Sequence, residues 1–314
     1  MLFRSDLDKP ASRVNAVAIA PETRKIVSGG GFYSPNGDKR LRVWGADGTR
    51  NDALDIGGGH GEGITGVAIA PNGQWKVTSS ADHTLRIWDK DGRPKGLPLI
   101  GHRAVVNAVD ISPDSTQFVS VGDEGFALLW NRNGRRIRQI ETQVQGDKLL
   151  SVKFTPDGKL IVVGNERGLL QWYNLAGKPT RSPLHAHRGP VWAIAFSPRQ
   201  NLLATAGDDN RIGLWTKEGS PLGQLRGHGD RVRALAFTPN GHDLVSSGRD
   251  GRIWVWPTDW HDWLAHVCRR LRTHTAFLFP QGPAGEEAAQ SCENIVWSRR
   301  SEERRVGKEC RSRW

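Results

Sequence analysis

Four histidines, His60, His102, His187 and His228, each stand 22 residues ahead of a carboxylate: Asp82, Glu124, Asp209 and Asp250. An imidazole set beside a carboxylate is a pairing that acid–base catalysis uses. Here every pair is followed, six residues after its acid, by a tryptophan: Trp88, Trp130, Trp215 and Trp256. Four copies in one register read as a structural device rather than as a reacting centre. Other residues of catalytic type lead no further. The stretch GGGHGEG at 57–63 lacks the Gly-Lys-Ser/Thr of a phosphate loop and leads into a repeat start, so it reads as a connector. His266, Cys268, His274 and Cys292 are zinc-ligand types, but their spacing matches no common ligand pattern and Cys268 falls on an apolar helical face. No Gly-x-Ser-x-Gly elbow or zinc-protease motif occurs. The expectation is no catalytic residue, no metal and no cofactor.

The elements that must position these groups follow from a repeat. Tryptophans recur at 44, 88, 130, 172, 215 and 256, at intervals of 44, 42, 42, 43 and 41 residues. An acidic residue stands six positions before each of them, Asp38 and Glu166 completing the set. A proline recurs too (Pro21, Pro71, Pro113, Pro156, Pro198, Pro239), after runs such as VNAVDISP whose apolar residues alternate with period two, the pattern of a strand. Each unit therefore reads as four short strands. In the second these are GITGVAIA, QWKVTSS, TLRIW and a weaker fourth around GLPLI. Asn-Gly at 72 and 240 and Asp-Gly at 91, 157 and 250 supply the positive backbone angles that tight turns need.

With these residues in place, the chain resembles the WD-repeat (WD40) β-propeller family, whose repeats run from a GH pair through SPDG to a strand ending in Trp-Asp. "GHRAVVNAVDISPDSTQFVSVGDEGFALLW" and "GHGDRVRALAFTPNGHDLVSSGRDGRIWVW" carry the likeness most fully, and it extends over 14–258. The resemblance implies an all-β propeller of six four-stranded repeats, with six or seven blades. It also implies a buried tetrad in each regular blade, built from the GH histidine, a strand hydroxyl, the turn acid and the tryptophan. That assigns His60, Asp82 and Trp88; His102, Glu124 and Trp130; His187, Asp209 and Trp215; and His228, Asp250 and Trp256 to structural roles. A buried acid needs such partners to avoid a desolvation penalty of several kcal/mol, roughly. Repeat 4 offers QGD at 145–147 instead of GH, with Glu166 and Trp172-Tyr173, so its tetrad is expected to be incomplete. Repeat 1 also lacks GH and carries the insertion FYSPNG at 32–37.

In the family, partners usually lie across the top face, on residues that begin each first strand. The matching positions here are Asn15, Thr65, Asn107, Leu150, Trp192 and Arg233, six before each repeat proline. They vary where the frame is constant, as a composite recognition surface requires, and tryptophan and arginine are the types that most often carry interface energy. The expected activity is therefore non-enzymatic recognition of a protein or peptide. Two alternatives stand beside it: an electrostatic nucleic-acid binder, and the sensor part of a larger NTPase or protease-like signalling protein.

Segments outside the repeats read differently. Over 260–271 the apolar residues Trp260, Trp263, Leu264, Val267, Cys268 and Leu271 share one helical face, and a second helical pattern follows PAGEE, so 260–299 is expected to be a helical hairpin. Its sequence resembles the tail of bacterial multi-domain WD-repeat proteins. Residues 300–314, RSEERRVGKECRSRW, resemble a translated sequencing adaptor and are read as an artefact that cuts the frame at its 3′ side. Without them the net charge falls from +11 to +8. Basic residues such as Arg93, Lys95, Arg135, Arg136, Arg138, Lys178 and Arg188 are scattered over turns without stacking aromatics, so nucleic acid is the weaker expectation. No apolar run approaches the roughly 20 residues that cross a bilayer. Three cysteines without a framework point to a reducing compartment, and the cytoplasm is expected. Oligomeric state is not legible.

Overall fold

A computed structural model of the chain describes residues 14–19, 26–31, 39, 41–45, 59–144 and 146–258. The expected hairpin at 260–299, the tail at 300–314, the insertion at 32–37, Asp38 and the zinc-type residues lie outside the described residues. Among those described, every regular element is a strand, and the strands form the six antiparallel sheets of a β-propeller.

Blade 1 is Val14–Ile19, Ile26–Gly30 and Arg42–Trp44. Blade 2 is Ile64–Ile69, Trp75–Ser80, Thr84–Asp89 and Leu99–Ile100. Blade 3 is Val106–Ile111, Gln117–Gly122, Phe126–Asn131 and Arg136–Glu141. Blade 4 is Leu149–Phe154, Leu160–Asn165, Leu169–Asn174 and Leu184–His185. Blade 5 is Val191–Phe196, Leu203–Gly207, Arg211–Trp215 and Pro221–Arg226. Blade 6 shows three strands, Val232–Phe237, Asp243–Gly248 and Ile253–Pro257. The chain divides into two compact units, one of 1–235 with 246–253 and one that takes in 236–245 and the residues from Trp254.

Sequence decides how long the fourth strand runs. In blades 2 and 4 it has two residues, and in blades 3 and 5 it has six. The segments RPKGLP and KPTRSP lead into the short ones, and proline cannot donate to a ladder. Pairing there shrinks to single bridges, Trp88 with Pro94 and Tyr173 with Pro179. Blade 3 has RRIRQIE at the same place, with no proline, and pairs along its whole length.

The core lies between successive sheets, each pair of faces forming one apolar layer. Val27, Leu41 and Val43 of blade 1 meet Ile64, Val67, Ile69 and Trp88 of blade 2. Val77, Leu85 and Ile87 of blade 2 meet Val106, Val109, Ile111 and Trp130 of blade 3. The same pattern joins blade 3 to 4 and blade 4 to 5. Each fully buried aliphatic contributes about 1.5–3 kcal/mol. A both-faces-buried sheet explains why the second strands, such as WKVTSS and LIVVGN, are buried almost throughout.

Candidate protein-interaction surface

The repeated histidines are placed first, because they fix the ends of the strands. In blade 3, His102 Nδ1 lies 2.7 Å from Glu124 Oε2 and Nε2 lies 2.7 Å from Ser120 Oγ, while Trp130 Nε1 donates to the same Oγ at 2.9 Å. The indole can only donate, so the hydroxyl accepts from it and gives its own proton to Nε2, which leaves Nδ1–H for the carboxylate. Burial lowers the His102 pKa from its usual value, against the opposing pull of Glu124, which agrees with a neutral ring. Blade 2 repeats this with His60, Asp82, Thr78 and Trp88 at 3.0, 2.7 and 2.9 Å. Blade 5 does so with His187, Asp209, Thr205 and Trp215 at 2.9, 2.9 and 3.0 Å. In blade 6 His228 bridges Asp250 at 3.0 Å and Ser246 at 2.7 Å, and Trp256 stacks on Trp254. The acids also accept backbone N–H groups of the GH segment, at Gly61, Ala104 and Gly229 among others. Burial raises the Asp82 carboxyl, but hydrogen bonds from His60 and Thr84 outweigh it and hold the pKa well below the usual range. In each of these tetrads both imidazole nitrogens are taken up by hydrogen bonds.

Blade 4 is built otherwise, and the register of the repeat needs correcting there. In blades 2, 3 and 5 the tetrad tryptophan pairs across the sheet with the residue twelve before it: Lys76, Phe118 and Leu203. In blade 4 the residue that pairs this way is Tyr173, with Ile161, whereas Trp172 pairs with Val162. The turn residues with positive φ agree: His83, Gly125, Asn210 and Gly251 stand five before the tryptophan, and Gly168 stands five before Tyr173. Tyr173 thus holds the tetrad position. Trp172 points to the opposite face, where it packs with Val191, Leu203 and Trp215 of blade 5 under the Arg181 guanidinium, 4.7 Å away. Glu166 likewise leaves the tetrad register, and Arg167 takes it. The polar work passes to a new cluster: fully buried Asp147 accepts from Asn165 Nδ2 at 2.7 Å and pairs with Arg167 Nε at 2.7 Å. The Tyr173 hydroxyl accepts from the Gln143 N–H at 2.8 Å and donates to Gln171 Oε1.

The six positions that vary along the first strands fall into two groups. Five coincide with register shifts in which the first strand carries one extra residue: Asn15 between Val14 and Ala16, then Thr65, Asn107, Leu150 and Trp192 at the matching places. A bulge leaves a carbonyl unpaired within its own sheet. Asn15 Nδ2 donates to the Ile64 carbonyl at 2.9 Å, Thr65 Oγ1 to that of Val106, and Asn107 Nδ2 to that of Leu149 at 2.9 Å. Each carbonyl precedes the next blade's bulged residue, so three of the six positions clip one blade to the next. Their variation in type hides a constant role, that of a donor. Leu150 cannot donate, and Ser151 beside it bonds the Val191 carbonyl at 2.9 Å instead.

Trp192 and Arg233 break the series. The Trp192 indole turns to Asp208 Oδ1 at 2.8 Å, Arg231 Nη1 reaches the same oxygen at 3.1 Å, and the Arg233 guanidinium lies flat over the Trp192 ring, 3.6 Å from its centroid. Partial desolvation of the guanidinium, which lies on the indole, and the neighbouring Arg231 lower the Arg233 pKa from its usual value. Arg233 is exposed and Trp192 half-buried. Among the described residues no group of three or more His, Cys, Asp or Glu is placed to hold a metal ion, and no helix is long and apolar enough to cross a membrane.

With this geometry, comparison with known proteins is decisive at one point: the description of the IFT122 first beta-propeller matches residues 14–271. The chain belongs to the IFT122 first beta-propeller family. Its relatives include other WD-repeat propellers. Pre-mRNA-processing factor 19 homolog 2 of Arabidopsis thaliana is 29% identical over 161 residues, covering 50% of this chain and 30% of that protein. The target of rapamycin complex subunit wat1 of Schizosaccharomyces pombe is 24% identical over 66% of the chain and 65% of its own length. Subunit LST8-1 of Arabidopsis thaliana is 26% identical over 70% and 72%. The relatives named here are eukaryotic, and none of them bears on the bacterial likeness expected from the tail and connecting segments.

Within this propeller family frame, the residues that periodicity missed are Asp123, Asp208, Ser151 and Tyr173. Asp123 accepts from Asn107 at 2.8 Å and pairs with Lys148 at 2.8 Å. The doubled acids Asp123-Glu124 and Asp208-Asp209 were the available signal, since only one member of each pair is needed in the tetrad.

Proposed function

We propose that the chain is a non-enzymatic protein-interaction module that takes an acidic segment of a partner protein at blades 5 and 6. The observation that carries this is the Arg233–Trp192 stack, braced by Asp208 and Arg231 at the strand ends where other blades use the same positions to clip themselves together. A guanidinium held on an indole keeps its edge N–H groups free for a carboxylate and loses little side-chain entropy when it binds. Arg231, Arg233 and Arg249 outnumber Asp208 and Asp230 around it. Two relatives are named as subunits of a target of rapamycin complex, which supports assembly with other proteins as the mode of action. Three cysteines without a framework support a cytoplasmic setting. A role as the sensor of a larger signalling protein is supported by the sequence of 260–299 and of connecting segments such as WDKDGRPKGLPLIGH.

Selection of a random-peptide display library on the full chain tests the proposal. The expected result is enrichment of acidic peptides that lose binding at least tenfold, about 1.4 kcal/mol, on Arg233→Ala and Trp192→Ala with melting temperature little changed. Peptides indifferent to both substitutions, or binding only of single-stranded DNA with a steep salt dependence, overturn it.

A further inference from the structure

Basic residues that lie scattered along the sequence come together in the fold. Arg93 and Lys95 lie between the third and fourth strands of blade 2, Arg135, Arg136 and Arg138 lie at and after the same turn in blade 3, and Lys178 lies there in blade 4. Glycines in these turns show that the three segments are neighbours. A Cβ placed on Gly134 would stand 2.5 Å from Leu99 Cδ2, so the blade 3 turn is seated on the fourth strand of blade 2. A Cβ on Gly177 would meet Arg138 Cδ at 3.4 Å and Ile140 Cγ1 at 3.5 Å, so the blade 4 turn is seated on the fourth strand of blade 3. Each turn thus rests on the rim of the blade before it, and the cations form one belt across blades 2, 3 and 4.

All six cations are exposed, and among the described residues none has a hydrogen-bond or ion-pair partner for its side chain. Two aliphatic side chains stand in the same belt. Leu97 is 84% exposed, two residues beyond Lys95, and Ile137 is 46% exposed, between Arg136 and Arg138. No aromatic residue occurs in 90–99, 132–141 or 174–182. Single-stranded nucleic acid asks for stacking rings, and a duplex backbone gives exposed aliphatics no apolar contact. An anionic bilayer takes both kinds of group, since lipid phosphates receive the cations and the boundary with the acyl chains receives the aliphatic tips.

We infer that this belt is a docking surface for anionic lipid bilayers, with Arg93, Lys95, Arg135, Arg136, Arg138 and Lys178 on the headgroup phosphates and Leu97 and Ile137 entering the headgroup boundary. Charge and apolar contact are each weak alone and together give a reversible, salt-sensitive attachment. The surface uses none of the residues around Trp192 and Arg233 and does not depend on the function proposed above.

Co-sedimentation of the full chain with lipid vesicles tests the inference. Wild type is expected to bind phosphatidylcholine vesicles containing about a third phosphatidylserine at least tenfold more tightly than phosphatidylcholine alone, and to be released as salt rises from about 0.1 to 0.5 M. Arg135→Glu with Arg136→Glu should abolish the binding. Leu97→Ser with Ile137→Ser should weaken it about tenfold, and Arg233→Ala should leave it unchanged. All these substitutions are at exposed sites, so circular-dichroism spectra should match wild type. Should the charge reversal misfold, Arg135→Gln with Arg136→Gln is to be read in its place, with a partial loss expected. A chain that binds neither vesicle, or both equally, overturns the inference. So does binding that survives the charge reversal or that the serine pair leaves unchanged; competition by duplex DNA would then mark the belt as a nucleic-acid surface.

Discussion

In blade 3 a histidine, a serine, a glutamate and a tryptophan from four segments converge on one hydroxyl and one imidazole, whereas in blade 4 the same strand ends are held by a buried aspartate, an asparagine, an arginine and a tyrosine. The two sheets superpose in register, residue for residue, from the paired strand ends to the positive-φ turn at Gly125 and Gly168. The fold therefore asks for satisfied polar groups at this point rather than for a particular set of them. What differs is how the set responds to protons and to truncation. Blade 3 depends on an imidazole whose pKa burial lowers from its usual value, and the blade 4 cluster contains no histidine.

The largest expected effect breaks the comparison at its aromatic member. Trp130→Ala removes a buried ring that stacks on Phe118 at 5.9 Å and should cost about 4 kcal/mol in denaturant unfolding, while Tyr173→Phe keeps the ring and should cost about 1–2 kcal/mol for two lost hydrogen bonds. Next comes a reciprocal exchange at one register position. Ser120→Val strands both His102 Nε2 and Trp130 Nε1, and Val163→Ser buries a hydroxyl where blade 4 supplies no histidine or indole, so each should destabilise by about 1–3 kcal/mol. Equal stability of wild type and Ser120→Val by calorimetry would mean that the tetrad is ornament.

Acid should separate the blades in two steps. His102 has a folded pKa below its usual 6.5, so the unfolded chain binds the proton more readily, and the stability it contributes is present above that value and lost as pH falls below it. Asp82 and Asp209 are held below their usual 3.8, and their contribution is lost only on further acidification. Hydrogen exchange at pH 5 against pH 7.5 should show faster opening at Phe126–Asn131 than at Leu169–Asn174; the same acceleration in both would remove the histidine from the explanation. The smallest effect concerns the clips. Asn107→Ala should cost about 1 kcal/mol, and Leu150→Ala less in hydrogen-bonding terms because Ser151 already makes the clip in that blade.

Much of this was legible in the sequence because a repeat averages out local ambiguity. Strand placement in blade 2 and the turns at Gly73, Gly92 and Gly158 followed from alternation and turn chemistry alone. The error at repeat 4 has a simple origin: Trp172 and Tyr173 are adjacent aromatics, and a spacing that already ranges from 41 to 44 cannot tell one from the other. Their faces differ by half a sheet, which only pairing reveals. The clips were illegible for another reason. Asn15, Thr65 and Asn107 act on a carbonyl some 40 or more residues away, in the next blade, so no pattern within their own repeat records the contact. The donor chemistry shared by asparagine and threonine at those positions is invisible to a comparison of letters.

The prolines that shorten the fourth strands of blades 2 and 4 give the outer rim an uneven grain. Where blades 3 and 5 end in six-residue fourth strands, blades 2 and 4 cover the same edge with a two-residue strand at one end and a proline bridge at the other. Leu97 and Ile100 stand out beside one of these edges. The rim is thus regular ladder on blades 3 and 5 and a looped cover pinned at its prolines on blades 2 and 4, where the outermost paired run is only two residues long.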